Sequence, residues 1–282
     1  MGAALIQAAD EIGIRLTLLD TCYLAGGLTG HGHADLDEVQ LRFSDGDVDA
    51  WHDRVSRLHD GDMLRIGAAA HSVRALPQAA LKEFGAAVDQ RVVHAHVSEQ
   101  MAEDVAAQAF YGLTPTGLLD DAGLVTDRFT AVHGTNVTEA DIGRLARAGS
   151  TVCFCPTTER DLADGIGPAR RLVDAGAVLT LGSDSHAVID LFEEMRAVEM
   201  HERLTTRERG HFASAELLAA ATYDGHASLG FPDAGAIAVG RRADLVEVDL
   251  DTVRTRRAGA TADTLVMAAT GADVVTHGRS PA

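Results

Sequence analysis

Short, almost continuously apolar runs alternate with amphipathic, alanine-rich stretches through the first two-thirds of the chain. The runs RLTLL, MLRIGAAA, RVVHAHV, FTAVH, TVCFC and AVLTLG predict strands at Arg15–Leu19, Met63–Ala70, Arg91–Val97, Phe129–His133, Thr151–Cys155 and Ala177–Gly182. Helical periodicity occupies Ala3–Glu11, Val48–His59, Gln78–Val88, Gln100–Phe110, Glu139–Ala148 and Gly167–Ala175. Apolar runs without alternation belong to parallel strands covered on both faces. Their regular exchange with helices implies a βα array. Six units can be read, where a closed barrel of this kind has eight. Tyr23–Asp47, rich in Gly and Asp, reads as a long loop.

Past His186 the pattern changes. Val188–Arg203 and Ala213–Thr222 read as helices, and GFPDAG makes a turn into Ala243–Leu250. There ADLVEVDLD alternates apolar and polar residues, as a strand with one covered face does. A helix over Ala262–Thr270 and a strand stub at Asp273–His277 follow.

Composition narrows the function classes. The 282 residues are 46% apolar, enough for a sizeable core, and 24 basic against 42 acidic residues give a net charge of −18. Such a surface repels nucleic acid and anionic lipid. No apolar run approaches the roughly 20 residues of a membrane helix. Acidic residues stand in MGAALIQAADEIG where a signal peptide carries basic ones, so a cytoplasmic location is expected. Cys22, Cys153 and Cys155 are too few for a disulfide framework.

Functional residues of βα barrels lie at the C-terminal ends of strands. His71 and Arg74 follow the second predicted strand, and His94, His96 and Glu99 mark the end of the third. His133 ends the fourth, and Asp184 and His186 follow the sixth. Convergence of His96, His133 and Asp184 around one ion would suit metal-assisted hydrolysis, since imidazole and carboxylate accept Zn²⁺ or Fe²⁺. Glu99 could then carry a proton to a substrate nitrogen. Arg74 beside His71 suits a substrate carboxylate. Taken singly, a strand-end His is more often structural, and Asp184 in GSDS could cap a helix. His31 and His33 have H-x-H spacing but sit in the Gly-rich loop, which argues against a ligand pair. Cys153 and Cys155 face one way on one strand and are expected to pack in the core.

HAHVSEQ, AVHGTN, CPTTERDLADGIGPARRL and LGSDSHAVIDLFEEMRAVE resemble the amidohydrolase superfamily, and HSVRA with CPTTERDLADGIGP narrows the resemblance to formimidoylglutamate deiminases. GAIAVGRRADLVEVDLD resembles the return to a small β-sandwich after the barrel. The resemblance covers nearly the whole chain. It implies an α/β fold of the (β/α)8 type represented by strands 3–8, with residues 1–230 in the barrel and 231–282 in a partial C-terminal β-sandwich. It implies one divalent metal, zinc or alternatively iron, held by His96 and Asp184. Asp184 would also deprotonate the attacking water, Glu99 would relay protons, and His133 would hold the water and the tetrahedral centre. His71 and Arg74 would grip the glutamate moiety. The implied reaction is hydrolysis of N-formimino-L-glutamate to N-formyl-L-glutamate and ammonia, and relatives commonly associate, so a homodimer is compatible.

Departures accompany the resemblance. The family's H-x-H ligand pair has no counterpart ahead of Arg15, and Asn136 stands where relatives often carry a second His. The first predicted strand resembles the family's third, so weak metal binding and unpaired sheet edges are expected. The competing expectations are an inactive truncated remnant and a deaminase of guanine- or cytosine-type rings.

Overall fold

The computed structural model describes residues 1–185 and 188–279, the last four by backbone only. Strands follow in the order β1 (Leu16–Cys22), β2 (Gly27–Thr29), β3 (Gly32–Ala34), β4 (Leu64–Ala70), β5 (Val93–Val97), β6 (Phe129–His133), β7 (Thr151–Phe154), β8 (Val178–Leu181), β9 (Asp244–Val248) and β10 (Val274–Arg279). β1, β4, β5, β6, β7 and β8 pair in that order into one parallel sheet. All six predicted core strands are therefore present in an α/β array, with β1 and β8 at the margins of the sheet.

Helices Gln78–Ala87, Met101–Tyr111, Glu139–Ala148 and Ala169–Ala175 return the chain between strands. Local chemistry sets their ends. Thr138 and Asp141 form a reciprocal capping box before Glu139–Ala148, and Gly149 ends that helix with φ 64°. An N-cap of this type contributes about 1 kcal/mol. Phe84, Leu118, Phe129 and Leu145 are fully buried in the resulting core, as is Trp51, whose ring lies 4.7 Å from that of Phe84. Leu19 of β1 and Val92 pack closely over Gly67, where a Cβ would stand 2.7 Å from Leu19 Cδ2 and 3.0 Å from Val92 Cγ2.

Several elements differ from the sequence reading. The supposed loop Tyr23–Asp47 contains the β2–β3 hairpin and a 3-10 turn, Gln40–Arg42. Short helices also form at Pro115–Asp121, Pro156–Asp161 and Tyr223–Ser228. With six or seven residues each, they are too short for apolar periodicity to register. A capping signal did exist at Thr114-Pro115, where Thr114 accepts from Gly117 N–H.

β9 and β10 pair antiparallel as a separate two-stranded sheet. The expectation of one covered face on β9 is met only in part: Val248 and Leu250 on the apolar face are half-buried, but Val246 on that face is 63% exposed and Leu245 on the other is 50% exposed. Arg15 ties this region to the start of β1 through Asp244, with Nε to Oδ2 2.6 Å. Among the described residues no helix is long and apolar enough to cross a membrane.

Candidate active site

The C-terminal ends of the parallel strands bring His71, Arg74, His96, Glu99, His133 and Asp184 together. His71 immediately follows β4, His96 lies on β5, and His133 ends β6. Register places Val97 opposite His133, so the histidine of β5 sits one step behind that of β6. The rings of His96 and His133 stack at 5.6 Å and 17°, and His71 meets His96 edge-on at 5.0 Å. His186 lies outside the described residues.

Backbone conformation is unusual at three of these strand ends. Ser98, His133 and Asp184 have φ of 48°, 70° and 47°. Non-glycine residues seldom adopt the left-handed region, and it persists where surrounding structure fixes it.

Hydrogen bonding orients both central imidazoles. His96 Nδ1 lies 2.8 Å from the His71 carbonyl oxygen. A carbonyl only accepts, so Nδ1 carries the proton and Nε2 keeps its lone pair. His133 Nδ1 faces Glu159 Oε1 at 3.3 Å. Its Nε2 is buried with no hydrogen-bond partner among the described residues, 3.8 Å from both Glu99 Oε1 and Asp184 Oδ2. Burial opposes charging of His133, but Glu159, Glu99 and Asp184 outweigh it and raise its pKa. Burial, reinforced by His96 and Arg74, lowers the His71 pKa to about 3, keeping that ring neutral at physiological pH.

Glu99 is held from behind by groups that sequence reasoning gave no role. Its N–H donates to Glu103 Oε2 at 3.3 Å, and Ser98 Oγ donates to Asp104 Oδ1 at 2.9 Å. Asn136 Nδ2 donates to the carbonyls of Ser98 and Glu99 at 3.2 and 3.0 Å. Thus Asn136, which departs from the resemblance, fixes the loop that carries Glu99. Arg74 Nη2 donates to Glu99 Oε2 at 2.8 Å, and Arg74 Nε stands 3.8 Å from Glu103 Oε1. Burial raises the Glu103 pKa to about 7 against the opposing pull of Arg74, and burial likewise raises Asp104 to about 6.

Cys155 is buried, as expected of a core thiol, and its Sγ, a His133 ring nitrogen and an Asp184 oxygen lie within 4.8 Å of one another. The expected common direction of the two thiols does hold: a Cβ on Gly182 would stand 3.1 Å from Cys155 Sγ and 3.3 Å from Cys153 Sγ. The neighbouring Cys153 sulfur and burial push the Cys155 thiol pKa up. Glu159 was also unassigned from sequence; its Oε1 receives both His133 Nδ1 and the Cys155 N–H, the latter at 2.9 Å.

Two other histidine readings resolve simply. His33 places Nε2 2.7 Å from Tyr111 Oη and Nδ1 3.1 Å from the Arg74 carbonyl, so both its ring nitrogens have partners within the fold. His94 Nε2 lies 3.2 Å from the Ser228 carbonyl, and burial lowers its pKa to about 4.

The residues present fit a divalent ion. Nitrogen, oxygen and sulfur donors converge, the buried His133 Nε2 points into the gap, and each imidazole is oriented through its other nitrogen, as ligating histidines are. Three carboxylates, Glu99, Glu159 and Asp184, approach His133, while Arg74 supplies a guanidinium to Glu99. This excess of negative charge favours a cation.

A parallel βα sheet with histidines and carboxylates at its C-terminal ends is the architecture of a metal-assisted hydrolase site. The amidohydrolase family model matches residues 2–277, and the chain belongs to that family. It is 35% identical over 254 residues to a formimidoylglutamate deiminase of Pseudomonas aeruginosa, covering 86% of this chain and 55% of that protein. It is 30% identical over 275 residues to a 5-methylthioadenosine/S-adenosylhomocysteine deaminase of Haloarcula marismortui, covering 95% and 61%. Among solved structures, an adenosine deaminase from Xanthomonas campestris with bound zinc superposes with TM-score 0.83 at 29% identity, covering 97% of this chain and 61% of that one. The chain therefore spans a little over half the length of these relatives.

Proposed function

We propose that this site performs metal-assisted hydrolytic deimination of a small acidic formimino compound, N-formimino-L-glutamate, giving N-formyl-L-glutamate and ammonia. The observation that carries the reading is the placement of Arg74, one hydrogen bond from Glu99, beside the His96–His133–Asp184 cluster. A guanidinium there offers bidentate recognition to a substrate carboxylate next to a group able to relay protons. The similarity to the Pseudomonas aeruginosa deiminase points the same way.

His96 and Asp184 would hold the ion, zinc or alternatively iron. When bound, the ion supplies Lewis acidity that lets water lose a proton near neutral pH. Asp184 accepts the proton of the attacking water. Glu99 delivers a proton to the departing nitrogen, so that the carbon–nitrogen bond breaks and ammonia leaves as the carbonyl forms. His133 Nε2, lacking another partner among the described residues, donates or accepts at the attacked centre according to its protonation. Neutral His71 and charged Arg74 hold the distal carboxylates.

A second reading, deamination of a 5-methylthioadenosine-type purine, is favoured by the Haloarcula marismortui relative. Ammonia release separates the two. The zinc-loaded chain is expected to release ammonia from N-formimino-L-glutamate and not from 5-methylthioadenosine. The reverse result assigns it to purines, and no release from either overturns both. Arg74→Ala is expected to raise KM for the acidic substrate by roughly ten- to a hundredfold, the loss of one charge-assisted pair. An unchanged KM would remove Arg74 from substrate binding.

A further inference from the structure

The hydroxyl of Ser72, a fully buried residue, lies between His71 and Arg74 and touches both. β4 ends at Ala70 and the chain turns at once, Ala75 and Leu76 N–H both donating to the Ser72 carbonyl at 3.0 and 3.1 Å. A serine that opens such a turn commonly bonds backbone two residues on. Here the Arg74 N–H lies 3.2 Å from Ser72 Oγ, and the Arg74 side chain folds back so that its Nε lies 3.3 Å from the same atom. On the other side His71 Nδ1 stands 3.1 Å from Ser72 Oγ.

The direction of that last bond follows from the protons and lone pairs available. A serine hydroxyl has two acceptor lone pairs and one proton to give. The two Arg74 groups can only donate, and they take both lone pairs. The hydroxyl proton is left for His71 Nδ1, which must therefore be unprotonated. An imidazole with a bare Nδ1 is neutral and carries its proton on Nε2. Among the described residues His71 Nε2 and Arg74 Nη1 make no hydrogen bond, while Glu99 accepts from Arg74 Nη2 at 2.8 Å. Two donors thus remain for a ligand, one from each neighbour of Ser72.

We propose that Ser72 is a positioning residue for substrate recognition: its hydroxyl fixes His71 as the Nε2–H tautomer and holds the Arg74 guanidinium at Nε. His71 and Arg74 then form a donor-only pair, which suits a group that only accepts, as a carboxylate does. The proposal deepens the reading of an acidic substrate and rests on it for what the pair grips; the tautomer rests on the contacts of Ser72 alone.

Nitrogen NMR of the full chain, labelled in its histidines and with His71→Asn assigning the resonances, reads the tautomer directly. The unaltered chain is expected to show His71 with Nδ1 unprotonated and Nε2 protonated, and a protonated Nδ1 overturns the proposal without any variant. Ser72→Ala is expected to bring in the Nδ1–H form and to raise KM for N-formimino-L-glutamate about three- to tenfold, the contribution of one hydrogen bond, with kcat held within about twofold. Ser72→Thr, which keeps the hydroxyl, is expected to restore both tautomer and KM. A tautomer indifferent to Ser72→Ala, or a fall in kcat at unchanged KM, overturns the proposal; if Ser72→Ala does not fold, the unaltered chain and Ser72→Thr decide. Ammonia release is scored separately: its absence with Nε2 protonated sinks the activity reading alone, and its presence with Nδ1 protonated sinks this one alone.

Discussion

The strand pair β5–β6 and the strand pair β9–β10 show what neighbours do for a short strand. β5 and β6 each have a parallel partner on both sides, and four of the five residues in each are buried. Among the described residues β9 and β10 have only each other, with a register irregularity between Val274 and Thr276, and Val246 and Val275 are largely exposed. The first pair is determined from both sides, and it tolerates left-handed backbone at Ser98 and His133, at the candidate site. Strain of this sort costs of order 1–3 kcal/mol per residue and persists only in such surroundings. Parallel partners on both sides of β5–β6 thus enclose the strand ends that carry His133 and Glu99.

The largest expected effect tests that link. Glu99→Gln preserves the shape of the side chain and its contact with Arg74 but removes the proton-relay capacity. A loss of roughly 10²–10⁴ in kcat is expected, with KM and the thermal midpoint little changed. Steady-state ammonia release beside calorimetric unfolding checks it. A collapse in stability of comparable size would show that Glu99 serves the fold rather than the chemistry.

Phe129→Ala probes the scaffold itself. Phe129 opens β6 and is fully buried. Truncation is expected to cost about 3–5 kcal/mol by urea unfolding, through lost burial and the cavity left behind. If the cost fell below about 1 kcal/mol, the contrast with β9–β10 would lose its basis.

The legible and illegible parts of the sequence divide along the same line. Buried parallel strands announce themselves as unbroken apolar runs, which is why RVVHAHV and FTAVH could be placed almost to the residue. The grouping of strand-end residues followed, because His71, Arg74, His96, Glu99, His133 and Asp184 each lie at or shortly after a readable strand. The contacts that Cys155, Glu159 and Asn136 make at the site were missed for a common reason. They depend on how loops fold back: the short helix Pro156–Asp161 brings Glu159 under both His133 and Cys155, and a turn after β6 carries Asn136 to the Glu99 loop. The motif CPTTE carried this information, but spacing alone did not say which atoms meet. β9 departs in the opposite sense. Its alternation was clear, and Val248 and Leu250 are half-buried on the apolar face, yet alternation did not guarantee a cover for Val246.

Glu103 supplies a pH-dependent test of the burial behind Glu99. Burial raises its carboxyl pKa from the usual 4.5 to about 7. Between those values the folded chain keeps a proton that the unfolded chain has lost, so stability falls as pH rises through this window and levels off above it. Asp104, raised to about 6, acts in the same direction from its lower ordinary value. Glu103→Gln removes one of these contributions. Relative to the unaltered chain, the variant should gain of order 1–3 kcal/mol in stability between pH 4.5 and pH 7.5. A difference that stays flat with pH would mean that water or a counter-charge relieves Glu103 in solution.

The smallest expected effect lies at β9. Val246 is 63% exposed there, and Thr keeps its β-branched shape while replacing a methyl with a hydroxyl. Exposed strand positions away from caps, cavities and networks change stability by no more than about 0.5 kcal/mol. Val246→Thr is therefore expected to leave the thermal midpoint essentially where it was, while light scattering shows less self-association because the exposed apolar strand is interrupted. A loss of 2 kcal/mol, on the order seen for buried Val positions, would mean that Val246 is covered in solution by chain or partner. β9–β10 would then be a buried sheet, and its contrast with β5–β6 would be one of partner identity rather than of burial.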